Sequence, residues 1–269
     1  MADTVINKRK PHLWWNQPWA LESEKRYGRA VEGGGIRLRR DRLDCPLHWR
    51  KPRVVAVWND LLHDDVPFDF LRSAVATMRA CGDHTFLVLT KREDNLGRLR
   101  GMLPGNVWLG TTVESNDYLS RVKELVKTPA AVRWLNAHLL GPLDLNRRPG
   151  GSSDPRSYLP ERAYAGLDGW YCVVCKQWVP YTERKQDHAC DNARVRWVAI
   201  ECNRPFRGDP KEWWGWCCDL VDQCVMKGVP VWVKQGPTAT GRVSHDYADF
   251  PEWARRREFP NQEQADAQE

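Results

Sequence analysis

The stretch from His84 to Glu114 limits the fold of this chain more than any other. It holds two short apolar runs, Thr85-Phe86-Leu87-Val88-Leu89-Thr90 and Val107-Trp108-Leu109-Gly110-Thr111-Thr112-Val113, separated by a polar segment that reads as a short helix over about 93–101. Runs of six or seven residues, rich in β-branched and aromatic side chains, are the length of strands rather than helices. Both end in polar groups. Strands that alternate with helices imply right-handed βαβ units and a parallel sheet.

The same plan recurs. Arg53–Trp58 is a β-rich run, and a helix follows over about 67–80 with Phe68, Leu71, Val75 and Met78 on one face. Residues 117–127 are helical, with Leu119, Val122 and Val126 on one side, and Val132–Asn136 is the fourth strand. Arg196–Glu201 is the fifth strand. A helix from Asp209 to Lys227 carries Asp209 as N-cap, Pro210 at the first helical position and Gly228 past its end. Residues 230–235 form the sixth strand. Six strand–helix units without a glycine-rich nucleotide fingerprint predict an incomplete parallel (β/α)6 barrel, with a doubly wound open sheet as the alternative.

The remaining segments read differently. Residues 1–35 form a basic, aromatic-rich arm that includes a short helix over 20–30; 36–145, opening on an edge strand at 36–39, is the first part of the barrel. Residues 146–193 are an inserted zinc-binding module, 194–260 are the last part of the barrel, and 261–269 are a disordered tail. Residues 1–53 carry 13 Lys/Arg against 6 Asp/Glu, which suits a polyanionic partner. No apolar run is long enough to span a membrane, and no apolar segment follows the basic N-terminus as a secretory signal would need. Nine cysteines, two of them as Cys-x-x-Cys, fit a reduced, cytoplasmic protein with a metal site better than a disulfide framework.

In parallel α/β folds ligands gather at the carboxyl ends of the strands. Those ends hold Asn59 and Asp60, Thr90, Lys91 and Arg92, Thr112 and Glu114, Asn136 and His138, Glu201, and Lys234 with Gln235. Glu114 and Glu201 are candidate acids, bases or hydrogen-bond anchors. Lys91, Arg92 and Lys234 are candidates for an anion-binding rim, with Lys91 and Lys234 holding phosphate. The other residues of the set are candidate substrate contacts. Cys172 and Cys175, then His188 and Cys190, supply thiolates and an imidazole at spacings that suit a structural zinc knuckle, with Asp187 or Cys202 as alternative fourth ligands. Cys217, Cys218 and Cys224 fall within the last helix as small apolar core residues, and Trp213-Trp214-Gly215-Trp216 reads as helix packing rather than base stacking.

Several segments are similar to a known family. They are Trp49-Arg50-Lys51-Pro52-Arg53, Asp64-Asp65-Val66-Pro67, Leu89-Thr90-Lys91-Arg92, Asn106-Val107-Trp108-Leu109-Gly110, Leu139-Leu140-Gly141-Pro142-Leu143-Asp144-Leu145 and Val233-Lys234-Gln235. Together with the ending Arg257-Glu258-Phe259-Pro260, they resemble, in order over residues 36–260, the phage gp thirty-seven/gp sixty-eight type family. This is a domain of unknown function that itself resembles radical S-adenosylmethionine enzymes. The resemblance implies a radical-SAM-type barrel in the cytoplasm of an infected bacterial host. Members of that family carry three closely spaced cysteines after an N-terminal Trp-Asn-Pro, the set that would hold a four-iron cluster. Here Trp15-Asn16-Gln17-Pro18 runs straight into Ala20-Leu21-Glu22, and residues 1–44 contain no cysteine. The family's glycine-rich segment after the fifth strand is Glu201-Cys202-Asn203-Arg204, and its Glu-Pro before Leu139 is Ala137-His138. Neither an iron–sulfur cluster nor S-adenosylmethionine is therefore expected. The expected function is binding of nucleic acid or a protein partner through the basic rim and the zinc module. The alternative is an enzyme acting on a nucleotide or modified base at the strand ends, still of the radical-SAM type in one version.

Overall fold

The computed structural model describes residues 38, 40–57, 60–146 and 194–260, and the backbone course alone at 13–14, 169–172 and 177–180. The chain divides into two compact units, Met1–Thr111 with Thr128–Ala131, and Thr112–Lys127 with Val132–Glu269. Both are of mixed α/β type, and each is built on parallel strands.

In the first unit β1 (Leu13–Trp14) pairs with β2 (Val54–Val57), β2 with β3 (Thr85–Thr90) and β3 with β4 (Val107–Val113), all parallel. Every residue of β3 and β4 is buried, which is why the two runs look almost uninterruptedly apolar in the sequence. Helix α1 (Phe68–Ala80) lies between β2 and β3 in the chain and buries Phe70, Leu71, Ala74, Val75 and Met78. Phe68, expected on this face, is half exposed; the stripe is complete without it, and Phe70 takes its place. Asn106, just before β4, is a buckle. Its amide donates to the carbonyls of Met78, Cys81 and His84, each at 2.9 Å, and so ties the end of α1 to the start of β3. The segment expected as a helix over 93–101 is a 3-10 helix, Glu93–Leu99. Asn95 and Gly97 are poor α-helix formers. The Asn95 and Arg98 side chains are also drawn onto the carbonyls of Leu62, His63 and Val66, which holds a tighter turn.

The second unit opens with a 3-10 turn, Asn116–Tyr118, that leads into α2 (Leu119–Lys127). Leu119, Val122 and Leu125 are its buried residues, Leu125 where Val126 was expected. Between β5 (Val132–His138) and β8 (Trp197–Glu201) the chain forms an antiparallel hairpin, β6 (Gly169–Cys172) with β7 (Gln177–Pro180), inside the expected insertion. Helix α3 (Pro210–Met226) connects β8 to β9 (Val231–Val233), and β5, β8 and β9 are parallel neighbours. Asp209 caps α3 as expected, accepting the Lys211 N–H at 2.8 Å. Cys217 and Cys224 are core residues of α3, but Cys218 is only half buried, on the Asp222 side.

Tryptophan supplies much of this unit's core. The Trp197 ring lies 5.3 Å from that of Trp134 and 6.2 Å from that of Trp232, with Phe259 closing the row 5.0 Å from Trp197. The segment from residue 236 to 260 carries little regular structure. It makes a small ribbon of β10 (Gly236–Pro237) and β11 (Val243–Ser244), then returns along β9. Val233 N–H donates to the Arg256 carbonyl at 3.1 Å and Glu258 N–H to the Val231 carbonyl at 3.0 Å. The tail thereby pairs backbone groups of β9 that an uncovered edge strand would leave open. Among the described residues, no helix is long and apolar enough to cross a membrane.

Candidate functional site

Register assembles the second unit's polar cluster. His138, the last residue of β5, lies opposite Glu201, the last residue of β8, while Ile200 lies opposite Val233 of β9. Lys234 then follows directly, its N–H donating to the Ile200 carbonyl at 2.8 Å. Parallel strands lie about 4.8 Å apart, so three neighbouring carboxyl ends place an imidazole, a carboxylate and an ammonium side by side. Asn136, two residues before His138, falls on the same side of β5 by the period of two.

The contacts are close. Glu201 Oε2 accepts Lys234 Nζ at 2.5 Å, and Oε1 accepts Asn136 Nδ2 at 2.9 Å with His138 Nδ1 at 3.4 Å. His138 Nε2 contacts Asn203 Oδ1, so oxygen acceptors flank the ring on both sides. A ring carrying both protons donates to both. Burial alone pushes the Glu201 pKa up. His138, Lys234 and Asn136 outweigh that and hold it at about 2 against the ordinary 4.5. Glu201 is therefore a fixed negative charge, suited to anchoring and orienting rather than to exchanging protons near neutrality. Gln235 turns its amide onto the Cys202 carbonyl at 2.6 Å, and burial pushes the Cys202 thiol up to about 12.

Glu114 and Thr112 form a second group in this unit. Arg121 of α2 donates to Glu114 Oε2 at 2.7 Å and to the Thr112 carbonyl at 3.0 Å, and its guanidinium lies 4.5 Å from the centre of the Tyr118 ring. Nothing in the sequence marked Arg121; its place one helical turn into the helix after Glu114 is the signal that could have found it.

A cavity of about 260 Å³ opens next to the Glu201 cluster. Leu139, Asn203, Phe206, Trp213 and Trp216 line it. Trp213 serves the fold, donating its indole N–H to the Leu139 carbonyl at 3.2 Å and meeting the Trp214 ring edge-on at 4.9 Å. Trp214 is likewise tied down, donating to the Pro237 carbonyl at 2.9 Å.

In the first unit Asp60, Thr90 and Arg92 come together, but as a latch. Asp60 Oδ1 accepts the Thr90 hydroxyl at 2.7 Å, Arg92 Nε lies 3.4 Å from Asp60 Oδ2, and Arg92 Nη1 donates to Asp64 Oδ2 at 2.6 Å. Asn95 donates to the other Asp64 oxygen at 2.6 Å, and this bond, with help from Arg92, lowers the Asp64 pKa. Lys91 is exposed. Of the expected cationic rim, Arg92 and Lys234 are each engaged by carboxylates of their own unit. Asn59, Cys175, His188 and Cys190 lie outside the described residues, as do the helix expected over 20–30 and nearly all of the edge strand expected over 36–39. Cys172 ends β6.

The comparison with protein families gives one match, a model described as a protein of unknown function, DUF5131, over residues 14–249. The chain belongs to the DUF5131 family. No curated protein and no solved structure matches it. The family description assigns no ligand.

The depressed Glu201 pKa has a measurable consequence. Its folded value lies below the unfolded one, so its stabilisation is complete above pH 4.5 and is lost as pH falls toward 2. The loss expected over that range is on the order of 3 kcal/mol. Denaturant unfolding at successive pH values should show it in the wild type and a flatter profile in Glu201→Gln. Superimposable profiles would show that Glu201 carries no such stabilisation.

Proposed function

We propose that this DUF5131 protein binds and acts on a nucleotide or modified base at the carboxyl ends of the parallel strands of its second unit. The supporting observation is the register-built cluster of Asn136, His138, Glu201 and Lys234. Hydrophobic packing of β5, β8 and β9 has no need of a nearly buried carboxylate, and removing such a group from water costs several kcal/mol. In this reading Glu201 orients Lys234 and His138. His138 carries the cluster's contact to Asn203 at the neighbouring cavity. Lys234 supplies positive charge for an anionic group. The test is equilibrium dialysis of the purified chain against a mixture of ribo- and deoxyribonucleotides, read by mass spectrometry. The wild type should retain one nucleotide class. Both Glu201→Gln and His138→Gln should retain it at least about ten-fold more weakly, the second leaving the Glu201–Lys234 pair in place. Retention of no nucleotide, or equal retention by all three proteins, would sink the reading.

A second reading rests on the β6–β7 hairpin. A Cys-x-x-Cys whose first cysteine ends one strand of an antiparallel pair matches half of a zinc knuckle. In this reading Cys172, Cys175, His188 and Cys190 hold a structural zinc, and the module works with the basic residues before β2 to bind nucleic acid or a partner protein. Zinc analysis should give about one ion per chain, lost in Cys172→Ser with Cys175→Ser, together with salt-sensitive retardation of DNA or RNA. Zinc content unchanged in the double variant would contradict it.

The resemblance to the phage gp thirty-seven/gp sixty-eight type supports the further proposals of an incomplete barrel of radical-SAM type and of the cytoplasm of an infected host. The absence of cysteine from residues 1–44 supports a lost cluster motif, and the proposed chemistry uses this chain's own side chains.

A further inference from the structure

The cavity beside Asn203 has features that neither the fold nor the Glu201 cluster uses. Trp216 lies one turn along α3 from Trp213, half-buried, with its ring against the cavity. Phe206 faces the same space and packs over Gly208, where an added Cβ would come within 3.1 Å of the ring. Among the described residues, neither ring is stacked on another aromatic side chain. Asn203 gives its carbonyl oxygen to His138, which leaves its amide N–H groups without an acceptor among the described residues. Arg207 and Glu212, both exposed at the rim, have no ion pair or hydrogen bond among the described residues. The cavity thus combines two aromatic rings, an amide donor, a guanidinium donor and a carboxylate acceptor.

We infer that this cavity is a nucleobase site, in which a planar heterocycle packs against Trp216 and Phe206 and presents a mixed donor and acceptor edge to Asn203, Arg207 and Glu212. Size favours one heterocycle over an oligonucleotide: about 260 Å³ falls below the ~300 Å³ at which pockets for larger ligands begin. Shape favours a flat ring, since every base offers a π-face to an aromatic side chain. Charge disfavours an inorganic phosphate, because Asp209 and Glu212 outnumber Arg207 at the rim. Any phosphate of the ligand therefore lies outside the cavity. The inference rests on the reading that the strand ends of the second unit hold the ligand, and it supplies the part of the ligand that is recognised.

Calorimetric titration of the full chain with adenosine, guanosine, cytidine and uridine tests it, with ribose 5-phosphate and indole as controls. At least one nucleoside should bind one-to-one, ribose 5-phosphate should not bind, and indole should bind at least about ten-fold more weakly. Trp216→Ala should weaken the nucleoside by about ten-fold or more. If that variant does not fold, Glu212→Ala, at an exposed position, takes its place with the same expectation. No saturable nucleoside binding, indole binding as tight as the nucleoside, or unchanged affinity in the folded variant would overturn the site. The two proposals separate cleanly. Affinity lost in Trp216→Ala but kept in Glu201→Gln leaves the nucleobase site standing and removes the role of the Glu201 cluster. The reverse keeps the cluster and removes the cavity.

Discussion

The second unit depends on one costly arrangement, a carboxylate taken almost wholly out of water at the end of a central strand. Glu201 is 5% exposed. It persists there as an anion because Lys234, Asn136 and His138 meet its two oxygens. None of these partners is close in sequence. They meet because β5, β8 and β9 are parallel and in one register, so that equivalent last residues stand in a row. Removing one partner leaves the others buried and unbalanced, and breaking a buried pair costs about 3–5 kcal/mol. The Trp134–Trp197–Trp232 row further down the same strands holds that register, and the returning tail closes its outer edge through Phe259.

Polar strand ends are not equivalent once their partners are known. Asp60, Thr90 and Arg92 looked like ligand contacts, yet they spend their hydrogen bonds on each other and on Asp64, pinning the loop after β2 to the loop after β3. The Glu114–Arg121 pair likewise anchors α2 to the end of β4. The Glu201 cluster differs because its chain of contacts continues through His138 to Asn203, whose amide stands at an aromatic-walled cavity. The two latches have no such continuation, and the proposed ligand site rests on it.

Much of the fold was legible because both faces of the strands are covered. Thr85–Thr90 and Val107–Val113 were read from apolar runs alone with their observed limits, and the signals at Asp209, Pro210 and Gly228 bounded α3 well. The polar residues at the strand ends were legible as a set, but their pairings were not. Whether Lys234 meets a phosphate or Glu201 depends on which strands are neighbours and in what register, and no local pattern encodes that. The same limit hid the docking of residues 256–259 along β9, which no local pattern in that segment encodes. It also hid the difference between Trp213, which is buried and bonded to the Leu139 carbonyl, and Trp216, which is half-buried at the cavity. The helix at Glu93–Leu99 was legible but not its 3-10 form, which side-chain bonds to distant carbonyls impose.

The claim on which this account rests is that Glu201 is a permanent anion held by its neighbours. Carbon-13 carboxyl NMR of the folded protein, with the Glu201 signal assigned from Glu201→Gln, measures this directly. The account predicts that the resonance stays in its ionised position through the mildly acidic range and titrates only near an apparent pKa of about 2. A titration midpoint at or above the ordinary 4.5 would contradict it, and would return Glu201 to the role of an exchangeable acid or base.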